Sequence, residues 1–198
     1  MSEKKKTGFE ALAKSGLYPQ EELMPVKKAK RSFFIGLPRE VSLQENRISL
    51  TPDAVALLVN NGHEVWVETM AGEGSKFSDK QYSEAGAKIV YSPDEVYKAE
   101  FILKIEPPTL DELEYFRPGQ TLISALQMGN LKPECINVLL KKRVTALAYE
   151  FIEDKVGGMP IVRAMSEIAG STVMLIAAEY LSTVNKGKGI ILGGITGV

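Results

Sequence analysis

Two short charged segments carry the first hint of chemistry. Pro38-Arg39-Glu40 and Glu45-Asn46-Arg47 follow an apolar run from Ser32 to Leu37. In an open parallel sheet, ligands gather at the carboxyl ends of the strands. Arg39, Arg47, Glu106 (after the Phe101 run) and Gln127 (after the Gln120 run) should all reach that edge. An arginine there can fork a carboxylate through two parallel N–H bonds. A pocket for a small polar ligand is one reading. A set of solvated loop charges is the other, and spacing alone leaves both open.

Other reactive side chains are scarce. His63 is the single histidine and Cys135 the single cysteine. That excludes a disulfide framework and a cysteine-rich zinc site, and no metal is expected. His63 follows the Asn61-Gly62 turn and reads as a capping or packing residue. Cys135 falls near a helix start with no histidine to pair with it, so it reads as a structural thiol. Ala71-Gly72-Glu73-Gly74-Ser75-Lys76-Phe77 looks like the start of a dinucleotide fingerprint. Phe77 stands where the third glycine belongs, and Glu73 would face a pyrophosphate, so a plain turn is the better reading. Gly187 to Gly197 has neither fingerprint spacing nor a Lys-Ser/Thr pair.

The elements that must position these residues are legible in the pattern. Apolar runs at 32–37, 63–68, 87–91, 101–105, 120–126 and 144–151 read as strands. Helix starts fall between them. Thr51-Pro52-Asp53 supplies an N-cap, a first-turn proline and an acid at the positive end of the dipole. Ser78 with Gln81, Ser92 with Glu95 behind Pro93, and Thr109 with Glu112 are capping boxes, and Pro133–Lys142 is a further helix. Strands alternating with helices imply βαβ units. The expected fold is α/β, a mostly parallel sheet with helices on both faces, Rossmann-like or flavodoxin-like.

Composition sets the class. The chain has 198 residues, 44 % hydrophobic and 25 % charged, with a formal net charge of −1. That suits a globular domain and gives no global basic field for nucleic acid or an anionic membrane. The longest apolar stretches fall short of a membrane span. No apolar segment follows Lys4-Lys5-Lys6, so no secretory signal is read and the expected compartment is the cytoplasm. Three regions are expected: a basic extension over 1–31, an α/β domain over 32–160, and a helix plus hairpin over 161–198. The extension holds eight Lys or Arg against four acids, with a short helix around Phe9, Leu12, Ala13 and Leu17; it reads as a solvated arm rather than a nucleic-acid or membrane arm. A helix over Met165–Val184 is apolar nearly all round, which points to burial or to another subunit, hence to a homo-oligomer. Gly187–Gly194 reads as a terminal hairpin.

Several of these segments, in order, resemble one family. Ile35-Gly36-Leu37-Pro38-Arg39-Glu40, Glu45 to Pro52, Gly62-His63-Glu64-Val65, Leu103-Lys104-Ile105-Glu106-Pro107, Met165 to Gly170 and Gly187 to Val198 are similar to the alanine dehydrogenase and nicotinamide nucleotide transhydrogenase alpha-subunit superfamily. The glycine-rich end is more like the dehydrogenase. The resemblance implies the substrate-side domain of an NAD-dependent oxidoreductase acting on a small amino or keto acid. Its NAD domain is expected after Val198, and the 198 residues alone are expected to be inactive. By the same register Arg47 matches the arginine that binds the substrate carboxylate. Glu106 and Gln127 stand where the family has its substrate lysine and acid–base histidine. Lys104 could substitute for that lysine if the strand continues through it. Met165 and Ser166 match the segment that lines the cofactor cleft. Two other readings remain: a transhydrogenase alpha-like protein, and a ligand-binding or oligomerisation module that has lost dehydrogenase chemistry.

Overall fold

The structure is a computed structural model that describes residues 31–193. The basic extension, its short helix and the last five residues lie outside the described residues.

Six strands form one parallel sheet: β1 (Phe34–Leu37), β2 (Glu64–Glu68), β3 (Lys88–Val90), β4 (Phe101–Leu103), β5 (Thr121–Ser124) and β6 (Thr145–Ala148). Their order is β3-β2-β1-β4-β5-β6, every neighbouring pair being parallel. The order reverses between β1 and β4, so the chain leaves the sheet in opposite directions there and opens a crevice at the strands' carboxyl ends.

The connecting helices are α1 (Pro52–Asn60), α2 (Asp79–Glu84), α3 (Pro93–Val96), α4 (Leu110–Tyr115) and α5 (Pro133–Lys141). Thr51 accepts from the Ala54 N–H, and reciprocal capping boxes close Ser78–Gln81 and Thr109–Glu112. Ser92 differs from expectation. Its side chain makes no cap bond; Glu95 instead reaches back to the Tyr91 N–H at 3.2 Å.

Strand alternation sends apolar side chains to both sheet faces. Ile35, Leu37, Val65 and Val67 pack with Val55 and Tyr82 of α1 and α2. Ile102 and Leu122 pack with Val96, Leu113 and Leu139 of α3, α4 and α5. Helices therefore cover both faces, and the sheet is doubly wound. Truncating a core residue such as Leu37, fully buried, would cost about 2–5 kcal/mol.

The C-terminal part departs from the expected pattern in three ways. Helix α6 runs Pro160–Leu181, starting earlier than Met165 because Pro160 takes the first helical position, where its missing N–H costs nothing. It ends at Leu181, and a 3-10 turn follows over Thr183–Asn185. No hairpin forms over Gly187–Gly193. The N–H groups of Gly187 and Gly189 are spent on the Ser182 and Leu181 carbonyls, 2.8 Å each, and so cannot enter a ladder. Gly187 lies so close to the Tyr180 carbonyl that a Cβ there would collide with it.

Helix α6 is exposed along most of its length, Ile168, Leu175 and Tyr180 included. By length and composition it could cross a membrane. No uncharged stretch of that length exists, however, because Arg163, Glu167 and Glu179 interrupt it, and Arg163 pairs with Glu167 at 3.0 Å.

Candidate functional site

The crevice between β1 and β4 is where the charged loops meet. The loop after β1 is long, from Pro38 to Thr51, and it is clasped from the next βα turn. Ser75 Oγ donates to the Asn46 carbonyl at 2.7 Å. Gly74 lies so close to Asn46 that a Cβ would come within 2.8 Å of its Cα. The Gly72-Glu73-Gly74 turn is thus packed with protein: Tyr82 and Phe77 fill the space beside Gly72, and Asn46 that beside Gly74. Its glycines allow close backbone approach and leave no cradle for a phosphate.

Arg47 follows the clasped residue. Glu45 grips its guanidinium by the Nε/Nη2 edge, with Nε to Oε1 at 2.8 Å and Nη2 to Oε2 at 2.5 Å. The Arg47 backbone N–H also donates to Glu45 Oε1, at 2.9 Å. The hydrogen bond from Arg47 is the main reason the Glu45 carboxyl sits below the ordinary glutamate range. The fork leaves the Nη1/Nη2 edge facing the rim, where Nη2 lies 3.8 Å from Glu106 Oε1 and Nη1 lies 3.9 Å from Met165 Sδ.

Glu106 comes from the loop after β4, Gln127 from the loop after β5. Gln127 Nε2 donates to Glu106 Oε2 at 3.1 Å. Glu150, after β6, accepts the Leu126 and Gln127 backbone N–H groups at 3.2 and 2.9 Å. Gln127 has φ +46°, a conformation uncommon outside glycine and often held at binding sites. Tyr149 donates to the Ile105 carbonyl at 2.8 Å, and burial raises its phenol pKa. Arg47, Glu106 and Gln127 thus form one line of contacts along a single rim.

Two candidates do not join that line. Arg39 lines a separate polar recess of about 180 Å³ on the other side of Arg47, and its N–H donates to Glu68 at 2.9 Å. Lys104 does not share a side with Glu106, because the strand stops at Leu103. The Ile105 N–H is taken by Glu40 Oε1 at 2.6 Å. Lys104 is instead enclosed, its ammonium 2.5 Å from Glu112 and 3.1 Å from Glu40. Of the remaining singled-out residues, Met165 reaches the rim through Arg47, and Ser166 is exposed on α6. His63 stacks on Phe33 and accepts its N–H, and Cys135 is buried.

Sequence reasoning gave no role to Glu45, Glu40, Tyr149, Glu150 or Ser75. Only Glu45 left a local signal, two residues before Arg47. The others act across long sequence separations.

Beside Arg47 lies an open cavity of about 470 Å³, lined by Ile48, Phe77, Leu103, Ile105, Ile161 and Met165 among others. On the far side of Gln127 is a second, of about 440 Å³, near Pro107 and Cys135.

Fold and rim together define a class: a domain of nucleotide-fold topology whose switch-point crevice presents an arginine rather than phosphate-binding glycines. Comparison with known proteins narrows it. Residues 36–169 match the family described as "Alanine dehydrogenase/PNT, N-terminal domain", and the chain belongs to that family. Alanine dehydrogenase of Bacillus subtilis (strain 168) is 42 % identical over 164 residues, covering 83 % of this chain and 43 % of that protein. Alanine dehydrogenase 2 of Staphylococcus aureus (strain USA300) is 40 % identical over 164 residues, 83 % of this chain and 44 % of its own length. An L-alanine dehydrogenase structure superposes with a TM-score of 0.76 at 35 % identity, over 83 % of this chain and 45 % of that one. The transhydrogenase from Sinorhizobium meliloti gives 0.56 at 28 % identity, over 60 % and 35 %. The chain therefore spans less than half the length of these relatives.

Proposed function

We propose that this chain is the substrate-side part of an alanine dehydrogenase-like, NAD-dependent oxidoreductase acting on a small amino or keto acid. One observation carries the reading: Glu45 pre-orients Arg47 so that its second N–H edge, in contact only with Met165 Sδ at 3.9 Å and Glu106 at 3.8 Å, lies on the rim of the switch-point crevice. That edge has the geometry to fork a carboxylate. Glu106 and Gln127 shape the polar side of the pocket, and the apolar cavity beside Met165 limits water around it.

The cavity also suits the flat face of a nicotinamide ring, with Met165 of α6 lining it and Ser166 following in sequence. The packed Gly72–Gly74 turn offers no place for a pyrophosphate, so that end of NAD would be held by another part of the protein. When bound, NAD would accept a hydride from the substrate's α carbon. Gln127 exchanges no proton near neutral pH, so it positions and does not act as acid or base. The 198-residue chain, given L-alanine and NAD, should produce no NADH, and clear turnover would refute this. Ligand-observed NMR should show L-alanine binding that Arg47→Ala removes.

The residues at 106 and 127, a carboxylate and a neutral amide in place of a lysine–histidine pair, favour a second reading, a transhydrogenase alpha-like protein, which needs no such pair. A partner carrying membrane-spanning segments would support it. A module that has lost dehydrogenase chemistry is the outcome if a longer protein binds amino acid tightly and makes no NADH.

We assign the exposed apolar surface over 165–184, on α6 and the 3-10 turn after it, to pairing with a second copy of the chain rather than to a bilayer. Arg163, Glu167 and Glu179 would be costly in hydrocarbon. Light scattering that gives a strict monomer would count against it. The cytoplasm is the compartment this reading assumes.

A further inference from the structure

Charge at the rim is unevenly matched. Among the described residues Arg47 is the one cation in its line of contacts, and Glu45 already forks it through both carboxylate oxygens. Glu106 approaches the same guanidinium only to 3.8 Å, and its other oxygen accepts a neutral amide from Gln127. Lys104 brings no relief, since its ammonium is enclosed between Glu40 and Glu112. Glu150 adds a further carboxylate, satisfied by backbone N–H groups. Among the described residues the rim therefore carries more negative than positive charge, and Glu106 is the carboxylate with the looser cationic contact, 3.8 Å to Arg47.

A ligand that seats its carboxylate on Arg47 brings one more negative charge to this place. It is compensated only if the ligand also carries a cation within reach of Glu106. The 3.8 Å between Arg47 Nη2 and Glu106 Oε1 confines that cation to the immediate neighbourhood of the ligand's carboxylate. An α-amino acid has this arrangement, with its ammonium on the carbon next to the carboxyl. The matching 2-oxo acid has the same carboxylate but directs a carbonyl oxygen, partly negative, at Glu106.

We propose that the Arg47–Glu106 pair selects the zwitterionic α-amino acid over the corresponding 2-oxo acid, Glu106 holding the ammonium. The inference rests on Arg47 being the carboxylate anchor, as proposed above. It has a consequence for occupancy: at equal concentrations the site fills with the amino acid rather than with the oxo acid.

The test is a binding comparison on the 198-residue chain, by calorimetry and ligand-observed NMR, with L-alanine and pyruvate as probes. The wild type should bind L-alanine at least about tenfold more tightly than pyruvate, a difference of about 1.4 kcal/mol. Glu106→Gln should level the two, and Glu106→Lys should reverse the order. Glu106 is a partly exposed rim residue, and an unchanged circular dichroism spectrum would show that these variants fold. Equal binding of both probes by the wild type, or discrimination that survives in Glu106→Gln, overturns the proposal. If Arg47→Ala still abolishes binding in that case, the carboxylate anchor stands and only the selection by Glu106 fails. If the wild type binds neither probe, the anchor fails and the selection with it.

Discussion

Two clusters in this molecule share one formula. Lys104 sits with Glu40 and Glu112, and Arg47 sits with Glu45 and Glu106, each a cation between two carboxylates. The first is enclosed, with the lysine side chain 1 % exposed; the second opens to solvent, with the arginine side chain 48 % exposed. Enclosure spends every charge on another residue of the chain. Tyr97 also donates to Glu112, Glu40 Oε1 takes a backbone N–H, and Glu40 Oε2 makes no hydrogen bond but is buried 3.1 Å from the ammonium, so no charge there is exposed to a ligand. In the open cluster one guanidinium edge makes only long contacts, 3.9 Å to Met165 Sδ and 3.8 Å to Glu106, and the Glu106 carboxylate accepts one neutral amide. The same residue types thus hold the fold in one place and stay open to solvent in the other, where the proposed recognition of a carboxylate would use them.

The titration of the two clusters differs in the same sense. Glu40 has its pKa raised, because burial costs its charged form more than Lys104 and the Ile105 N–H return. Glu45 has its pKa lowered, the Arg47 hydrogen bond prevailing.

Four experiments would break or sharpen the contrast. The largest effect should follow Lys104→Met, which keeps the volume but strands two buried carboxylates. It should cost about 3–5 kcal/mol in urea unfolding. A loss below about 1 kcal/mol would mean the enclosed cluster does not hold the fold. Arg47→Ala should act on the other axis. Isothermal titration should show L-alanine affinity falling by about 1.5–3 kcal/mol, the worth of a charged hydrogen bond, while the melting temperature drops less than in Lys104→Met. Next comes Ser75→Ala, which removes the clasp on Asn46. We expect about 1 kcal/mol, appearing as a few-fold weaker L-alanine binding, with Ser75→Thr restoring it.

The smallest effect is in the pH profile of stability. With its pKa raised, Glu40 holds a proton in the fold that the unfolded chain has released. From the ordinary glutamate range up to its raised value, stability therefore falls as pH rises. Glu68 is shifted in the same direction by burial. Glu45 is the opposite case: its contribution is present above the ordinary glutamate pKa and is lost as pH falls through its lowered one. Melting curves from pH 4 to 8 should be flatter for Glu40→Gln than for wild type. An unchanged slope would show that Glu40 is not the group responsible.

Much of the fold was legible because its signals are local. The Thr51 cap and the Ser78 and Thr109 boxes work within one helical turn, and the Val65/Val67 alternation within one strand. What failed depended on partners distant in sequence or on neighbouring carbonyls. Strand β4 stops early because Glu40, sixty-five residues before Ile105, takes its N–H. The glycine run after Lys186 gives its amides to the end of α6 rather than to a hairpin. At the site, Arg47, Glu106 and Gln127 could be placed because strand ends converge by topology. The fork by Glu45 left only the short spacing Glu45-Asn46-Arg47, and the hold of Glu150 on the Gln127 backbone, twenty-three residues away, left no local pattern.

The clasp at Gly74 sets what variation this scaffold can accept. A side chain at position 74 would drive the recognition loop off its seat, since backbone rather than a yielding side chain lies in the way. Positions 106 and 127 sit on loop tips where exchange costs little stability. Mutational libraries aimed at new specificity should diversify those two tips and keep the glycine.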